Sequence, residues 1–370
     1  MSCNARATGT PLTGKSPTPC GPVSPNSRLT RANENRGGRV TFDGTVSPVS
    51  EAEAVDFLRK PESYPQGTEA VSVVETHFSY VFLTDREVYK LKKPQRYPFV
   101  DLSSPAARRA NCMEEVRLNR RLAPDVYLGV VTLARGSDGV LALDGAGQAV
   151  DYLVHMRRLD DALNLERQLL HGNPEPVELD GAAARLTSFY ADNAPTGTVE
   201  PSVRRSRYRE QADELRQLLG NGRSDALRDA LLAWLDSNQH ALANRSVREV
   251  HGDLRPEHIY LGRHPCMIDR LEFEPALRQL DPLEELAFLT LECDRLGQRR
   301  AGERFVEYYL AASGDQSAPG LGAFYEAARA LLWALLGARH LLTQPERSEH
   351  WRQRTHWYLE AGMRALARGD

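Results

Sequence analysis

Apolar and polar positions alternate over two short stretches, 79–84 and 88–92, which a period of two reads as neighbouring strands joined by a turn at Asp85-Arg86-Glu87. On the second strand this period puts Tyr89 and Leu91 on one face and Val88, Lys90 and Lys92 on the other. A further apolar run, Val150 to Met156, leads into Arg157-Arg158-Leu159. Beyond it the apolar spacing lengthens to the helical period over 181–193, 206–219, 224–244, 280–296, 302–312, 324–342 and 349–368. Two helices precede it: 51–58, with the Ser50 hydroxyl as cap and Pro61 beyond its end, and 104–123, with Cys112, Val116, Leu118 and Leu122 along an apolar stripe. Two more strand-like runs, Ile259-Tyr260-Leu261 and Cys266-Met267-Ile268, flank the turn Gly262-Arg263-His264-Pro265. The pattern is that of an α+β chain, strand-rich in its first part and helical in its second.

Composition separates the start of the chain from the rest. Residues 1–45 are dominated by Ser, Thr, Pro, Gly, Asn and Arg, with almost no aliphatic residues, the makeup of a disordered tail without the apolar core of a secretory signal. Gly9-Thr10-Pro11-Leu12-Thr13-Gly14-Lys15-Ser16 satisfies the Walker A spacing, but no buried strand precedes it. Pro17, Pro19, Pro22 and Pro25 then forbid the helix that a phosphate-binding loop must open. The 370 residues carry a formal net charge of −3, so there is no global basic field for nucleic acid. Five cysteines, Cys3, Cys20, Cys112, Cys266 and Cys293, have no paired metal spacing and fit a reducing cytoplasm. The longest apolar candidate, 327–342, is interrupted by Arg329, Gly337, Arg339 and His340 and reads as a core helix, not a membrane span.

Candidate chemistry concentrates between residues 250 and 269. In Val250-His251-Gly252-Asp253 an acid stands in a loop ahead of a strand, and Asp269 follows the next strand. Two carboxylates so placed suit phosphoryl transfer, Asp253 taking the acceptor hydroxyl proton and Asp269 holding a metal ion against the phosphates. His258, five residues after Asp253, stands where a kinase catalytic loop carries its second metal ligand, usually Asn. The competing reading is an ordinary Gly-Asp turn with Asp269 at a strand end. Lys90, with Val88 two residues before it, is the candidate phosphate lysine and Lys92 its rival; both also fit a solvated basic edge. On the helix 104–123, Glu115 or its neighbour Glu114 would pair with that lysine. No Gly-x-Gly-x-x-Gly precedes the hairpin. Phosphate contacts would come from backbone amides and the Ser79 hydroxyl of Thr76-His77-Phe78-Ser79, and the adenine would rest on the chain near Met156. Asp281, followed by Pro282, reads as a helix cap that braces the loop, and Arg255, Glu257, Arg270, Glu272 and Glu274 as residues reaching the floor of an acceptor pocket.

These residues resemble the aminoglycoside phosphotransferase and choline kinase superfamily, whose signature is a His-Gly-Asp loop with a downstream metal-binding Asp. Glu75 to Leu83, Val88 to Pro94, Phe99 to Ser103, Leu118 to Gly129, Leu271-Glu272-Phe273 and Leu280 to Leu289 are more narrowly similar to an uncharacterised bacterial branch, over roughly residues 48 to 365. Members of that branch are often fused to a P-loop kinase domain, and this sequence ends before one would begin. The resemblance implies a two-lobed protein-kinase-like fold, with a nucleotide-binding lobe over 46–156 and a helical lobe over 157–370 holding the catalytic loop and acceptor pocket. It implies an ATP- and Mg2+-dependent phosphotransferase, cytoplasmic, acting on a hydroxyl of a small molecule, with neither nucleic acid nor membrane as partner, and with Glu115 as the glutamate. Two positions depart from the pattern: His258 replaces Asn, which turns metal preference toward Mn2+, and Arg270 stands where Phe or Cys is common. A nucleotide-binding pseudokinase is the alternative. A protein kinase ranks last, because 269–281 leaves no room for an activation loop.

Overall fold

The computed structural model describes residues 49–369, except Pro98, Asn173 and Asn244. The Walker-like segment, the tail and Cys3 and Cys20 lie outside these residues. The first part is a curled antiparallel sheet of six strands, in spatial order Ser72–Glu75, Ser79–Leu83, Glu87–Lys92, Gln148–Arg157, Tyr127–Arg135 and Leu141–Leu143. The hairpin at 84–86 sets Val81 opposite Lys90, and the strand Gln148–Arg157 sets Val154 against Lys90 and Met156 against Val88 on its other side. Tyr89 and Leu91 pack into the core on one face of the sheet with Phe82, Leu133 and Leu153, while Val88, Lys90 and Lys92 face a cavity on the other, as the period of two requires.

Helix Pro105–Asn119 begins at the Ser104 cap, whose hydroxyl accepts from the Ala107 amide, and lies against the strand Gln148–Arg157. A buried bidentate pair, Arg108 to Asp151 at 2.8 Å through both nitrogens, holds the two elements together. The remainder is mostly helical. Its centre is the helix Leu321–Thr343, whose most apolar window is 72% buried inside the protein, the core helix that its interrupting charges predict. It packs chiefly on Ser348–Gly369 and on Pro282–Arg295, which is buried along almost its entire length. The predicted 224–244 helix is two pieces, Asp225–Ser237 and Gln239–Ala243. At the break the Asn238 amide and side chain both donate to the Trp234 carbonyl. The fold is thus two-lobed, α+β and kinase-like: a small antiparallel sheet joined to a larger helical lobe.

Candidate active site

Between the lobes lies a cavity of about 270 Å3 lined from the sheet by Val88, Lys90, Lys92 and Met156, and from the helical lobe by Asp253, Glu257, His258 and Asp269. The two lysines take different roles. Lys90 reaches Glu115 at 2.9 Å and Asp269 at 2.7 Å, joining the two lobes through one ammonium. Burial opposes its charge, but Asp269 and then Glu115 outweigh that penalty and hold its pKa well above the ordinary lysine value. Lys92 is almost fully enclosed and pairs with Glu115 and, at 2.6 Å, with Glu272. Glu115 therefore answers both lysines, and although burial raises its pKa, the two cations bring it below the usual glutamate value. Glu114 is turned outward onto Arg117.

The catalytic loop is built by backbone geometry. Gly252 adopts φ +93, and a Cβ there would press on Arg278, the Leu277 carbonyl and Leu271, so the turn needs glycine. Glu285, on the helix Pro282–Arg295, accepts from the His251 amide at 3.0 Å, the Gly252 amide at 2.6 Å and the Tyr190 hydroxyl at 2.7 Å. Sequence reasoning assigned the bracing to Asp281, four residues earlier. Asp281 does cap this helix, accepting from the Leu283 amide, but its remaining partners are Arg245 and Tyr325. The one-turn offset that puts Glu285 under the loop was a signal available in the sequence.

His251 Nε2 lies 2.9 Å from the Ile268 carbonyl, which can only accept, so Nε2 carries the proton and Nδ1 faces the Asp253 amide at 3.4 Å. Burial, with His258 and Arg270 nearby, pushes its pKa down to about 3 and keeps it neutral. His258 is fixed the same way: Nδ1 donates to the Asp253 carbonyl at 2.8 Å, which leaves Nε2 an acceptor, 3.7 Å from Asp269 Oδ2. An imidazole nitrogen and a carboxylate oxygen this far apart fit a divalent ion held between them, completed by phosphate oxygens and water. Among the described residues no three or more His, Cys, Asp or Glu cluster as metal ligands, so protein donors to an ion here would be few, as in phosphoryl-transfer sites. Asp269 itself sits at φ +64, a left-handed conformation, with its amide donating to the Tyr127 hydroxyl at 3.0 Å. Burial opposes its charge, while Lys90 and His258 draw its pKa below the normal carboxylate range.

Asp253 forms a buried pair with Arg255 at 3.0 Å, and Arg255 also binds Glu257 at 2.6 Å. Burial raises the Asp253 pKa and Arg255 more than reverses it, so the carboxyl is ionised. Ser79 lines the cavity with its hydroxyl buried and unpartnered, but its amide donates to Thr76 Oγ1 at 3.0 Å and is therefore not a phosphate donor. Two of the residues expected on the pocket floor are elsewhere. Arg270 is fully buried beneath the loop, bonding Glu249 and the Leu118 and Val250 carbonyls, and its own amide donates to Asn119. Glu274 caps the turn Pro275–Arg278, and Glu272 faces the nucleotide-side cavity instead. Their rotamers depend on neighbours far away in sequence, which spacing alone does not reveal.

No family model matches the chain. Two uncharacterized mycobacterial proteins, Rv2004c of Mycobacterium tuberculosis and Mb2027c of Mycobacterium bovis, are each 30% identical over 277 residues, covering 71% of this chain and 54% of theirs. The chain spans about half the length of these curated relatives. Among solved structures, the GDP and kanamycin complex of APH(2")-IIia superposes with a TM-score of 0.52 at 16% identity, covering 85% of this chain and 99% of that one. A choline/ethanolamine kinase family protein from Mesorhizobium loti gives 0.47 at 15% identity, over 85% and 98%.

Proposed function

The fold is that of the aminoglycoside phosphotransferase and choline kinase-like superfamily, and from it we propose that the chain is an ATP-dependent phosphotransferase acting on a hydroxyl of a small molecule. The observation that carries this reading is the single linkage Glu115–Lys90–Asp269 across the cleft, with His258 between Asp269 and Asp253. In this reading residues 46–156 form the nucleotide lobe, with adenine between Val88 and Met156, and 157–370 supply the catalytic loop and acceptor pocket. Lys90, not Lys92, meets the phosphates: it faces the cavity, whereas Lys92 is enclosed by Glu115 and Glu272. On nucleotide binding, Lys90 exchanges Asp269 for phosphate oxygens and keeps Glu115. The Ser79 hydroxyl is a further donor to the phosphates.

Asp269 and His258 would hold the divalent ion, whose chemistry is to neutralise charge on the phosphates. The imidazole nitrogen favours Mn2+ over Mg2+ relative to an amide oxygen. Asp253 orients the acceptor hydroxyl and takes up its proton. Its strong pairing with Arg255 makes it a weak base, which suffices when the phosphoryl group is largely detached before the hydroxyl proton leaves. That same pairing, together with His258, favours the second reading, a nucleotide-binding pseudokinase.

The test is ADP release with ATP or GTP and either metal, over a panel of hydroxyl acceptors, for wild type and Asp253→Asn. A transferase should lose turnover by about 100- to 10,000-fold while nucleotide binding persists. Nucleotide binding without turnover in either protein, for every acceptor, sinks the enzyme reading and leaves the pseudokinase.

A further inference from the structure

A second cavity, of about 90 Å3, opens beside the first, between His77 of the sheet lobe, the catalytic loop, and the long helices Leu321–Thr343 and Ser348–Gly369. Glu257 lines both cavities, and Arg255, two residues from Asp253, borders the second. A molecule in this space is therefore next to the carboxylate assigned to the acceptor hydroxyl.

The lining is rich in guanidinium groups. Arg255, Arg295, Arg347 and Arg354 face it, against two carboxylates, Glu166 and Glu257. Glu292, buried behind them, binds Arg295 at 3.0 Å and Arg354 at 3.6 Å and offsets one further charge, so a positive surplus remains. The histidines report the same field. Burial lowers His340 to about 4, with His77 and Arg347 contributing, and lowers His350 with help from Arg347, Arg354 and Arg295. Aromatic rings orient the cations: Arg255 lies 5.3 Å over Trp333, Arg347 5.4 Å over Trp351 and Arg354 5.7 Å over Tyr358. Stacking on a ring fixes the guanidinium plane and directs its N–H edge sideways, the geometry that accepts a carboxylate or phosphate in two bonds. A polyamine placed here would meet like charge in a partly desolvated space.

We propose that the acceptor is an oxyanion-bearing hydroxyl compound, a sugar acid or sugar phosphate rather than an amino sugar, with its anionic group held by Arg347 and Arg354 and its hydroxyl turned to Asp253. The assignment deepens the phosphotransferase reading and rests on it.

Trp333 and Trp351 line the cavity and supply the probe. Intrinsic fluorescence of the whole protein is titrated with D-gluconate, D-glucose 6-phosphate, D-glucose, D-glucosamine and kanamycin. Saturable binding is expected for gluconate, glucose 6-phosphate or both, at least tenfold tighter than for glucose, and weaker still for the two amines. The ratio between the two anions separates carboxylate from phosphate recognition. Arg347→Gln and Arg354→Gln should each weaken anion binding about tenfold, one lost charge-assisted contact, and Arg354→Lys should recover part of it. Melting curves of the variants separate this effect from misfolding. The proposal is overturned if neither anion binds, if glucose or the amines bind as tightly, or if both glutamine variants bind the anions like wild type. ATP binding on the same samples reads the kinase assignment independently, since neither arginine touches the nucleotide cavity.

Discussion

Lys90 and Lys92 stand two residues apart on one strand face, and only their partners tell them apart. Lys90→Met removes the group assigned to the phosphates and is expected to lower kcat/KM for nucleotide by about a hundredfold. Lys92→Met strands Glu272 and half of Glu115 in a closed space and is expected to cost about 3–5 kcal/mol of stability, read by urea denaturation. The reverse pattern would exchange their roles. A second prediction concerns His251. Above about pH 6.5 its ring is neutral whether folded or unfolded; between there and about 3, only the unfolded chain takes the proton. Stability should therefore fall with decreasing pH across that window, by up to about 1.4 kcal/mol per pH unit from this group. Denaturation midpoints at pH 7 and 5 for wild type and His251→Asn check it, the variant losing about one proton of dependence. At this scale the sequence was informative where backbone period decides: Lys90 and Val88 face the cavity because strands alternate. It was silent on Arg270, whose burial beneath the loop follows from Glu249 and Asn119, elements remote in the chain.

The helix Pro282–Arg295 does the bracing between elements, and Glu285 is its contact with the catalytic loop. Glu285→Ala leaves the buried His251 and Gly252 amides without an acceptor and should destabilise by about 2–5 kcal/mol, with loss of turnover at temperatures where the variant remains folded. The next helix, Arg299–Ser313, crosses it at Gly302, where a Cβ would fall on the Thr290 backbone. Gly302→Ala should accordingly lower stability by about 1–3 kcal/mol despite the better helix propensity of alanine, as a melting curve would show. Helices with capped ends were legible to within a few residues, Glu51–Leu58 and Pro105–Asn119 among them. The nine-residue strand Tyr127–Arg135 was not read from its pattern, because register shifts at both ends break the alternation. The short helix Leu165–His171 escaped as well, being little more than a turn and a half long.

At the scale of the whole molecule, the site exists only where the two lobes meet. Besides Lys90 with Asp269, an aromatic cluster spans the cleft, Phe273 packing 5.2 Å from Phe78 and 4.8 Å from Phe99, and Lys92 adds its pair with Glu272. A ligand bridging sheet and loop should therefore stabilise the whole protein, not one part of it. The two-lobed arrangement was legible through the His-Gly-Asp loop and the change from strand to helix period near residue 157. The second cavity was not, because its arginines come from the catalytic loop and three separate helical segments. The central claim, a nucleotide and metal site centred on Asp269, is tested by thermal-shift titration with ATP, alone and with Mg2+ or Mn2+, on wild type and Asp269→Ala. The account predicts a metal-dependent stabilisation of about 1–3 kcal/mol that the substitution abolishes, following RT ln(1 + [L]/Kd). No shift with either metal, or an equal shift in Asp269→Ala, would contradict it.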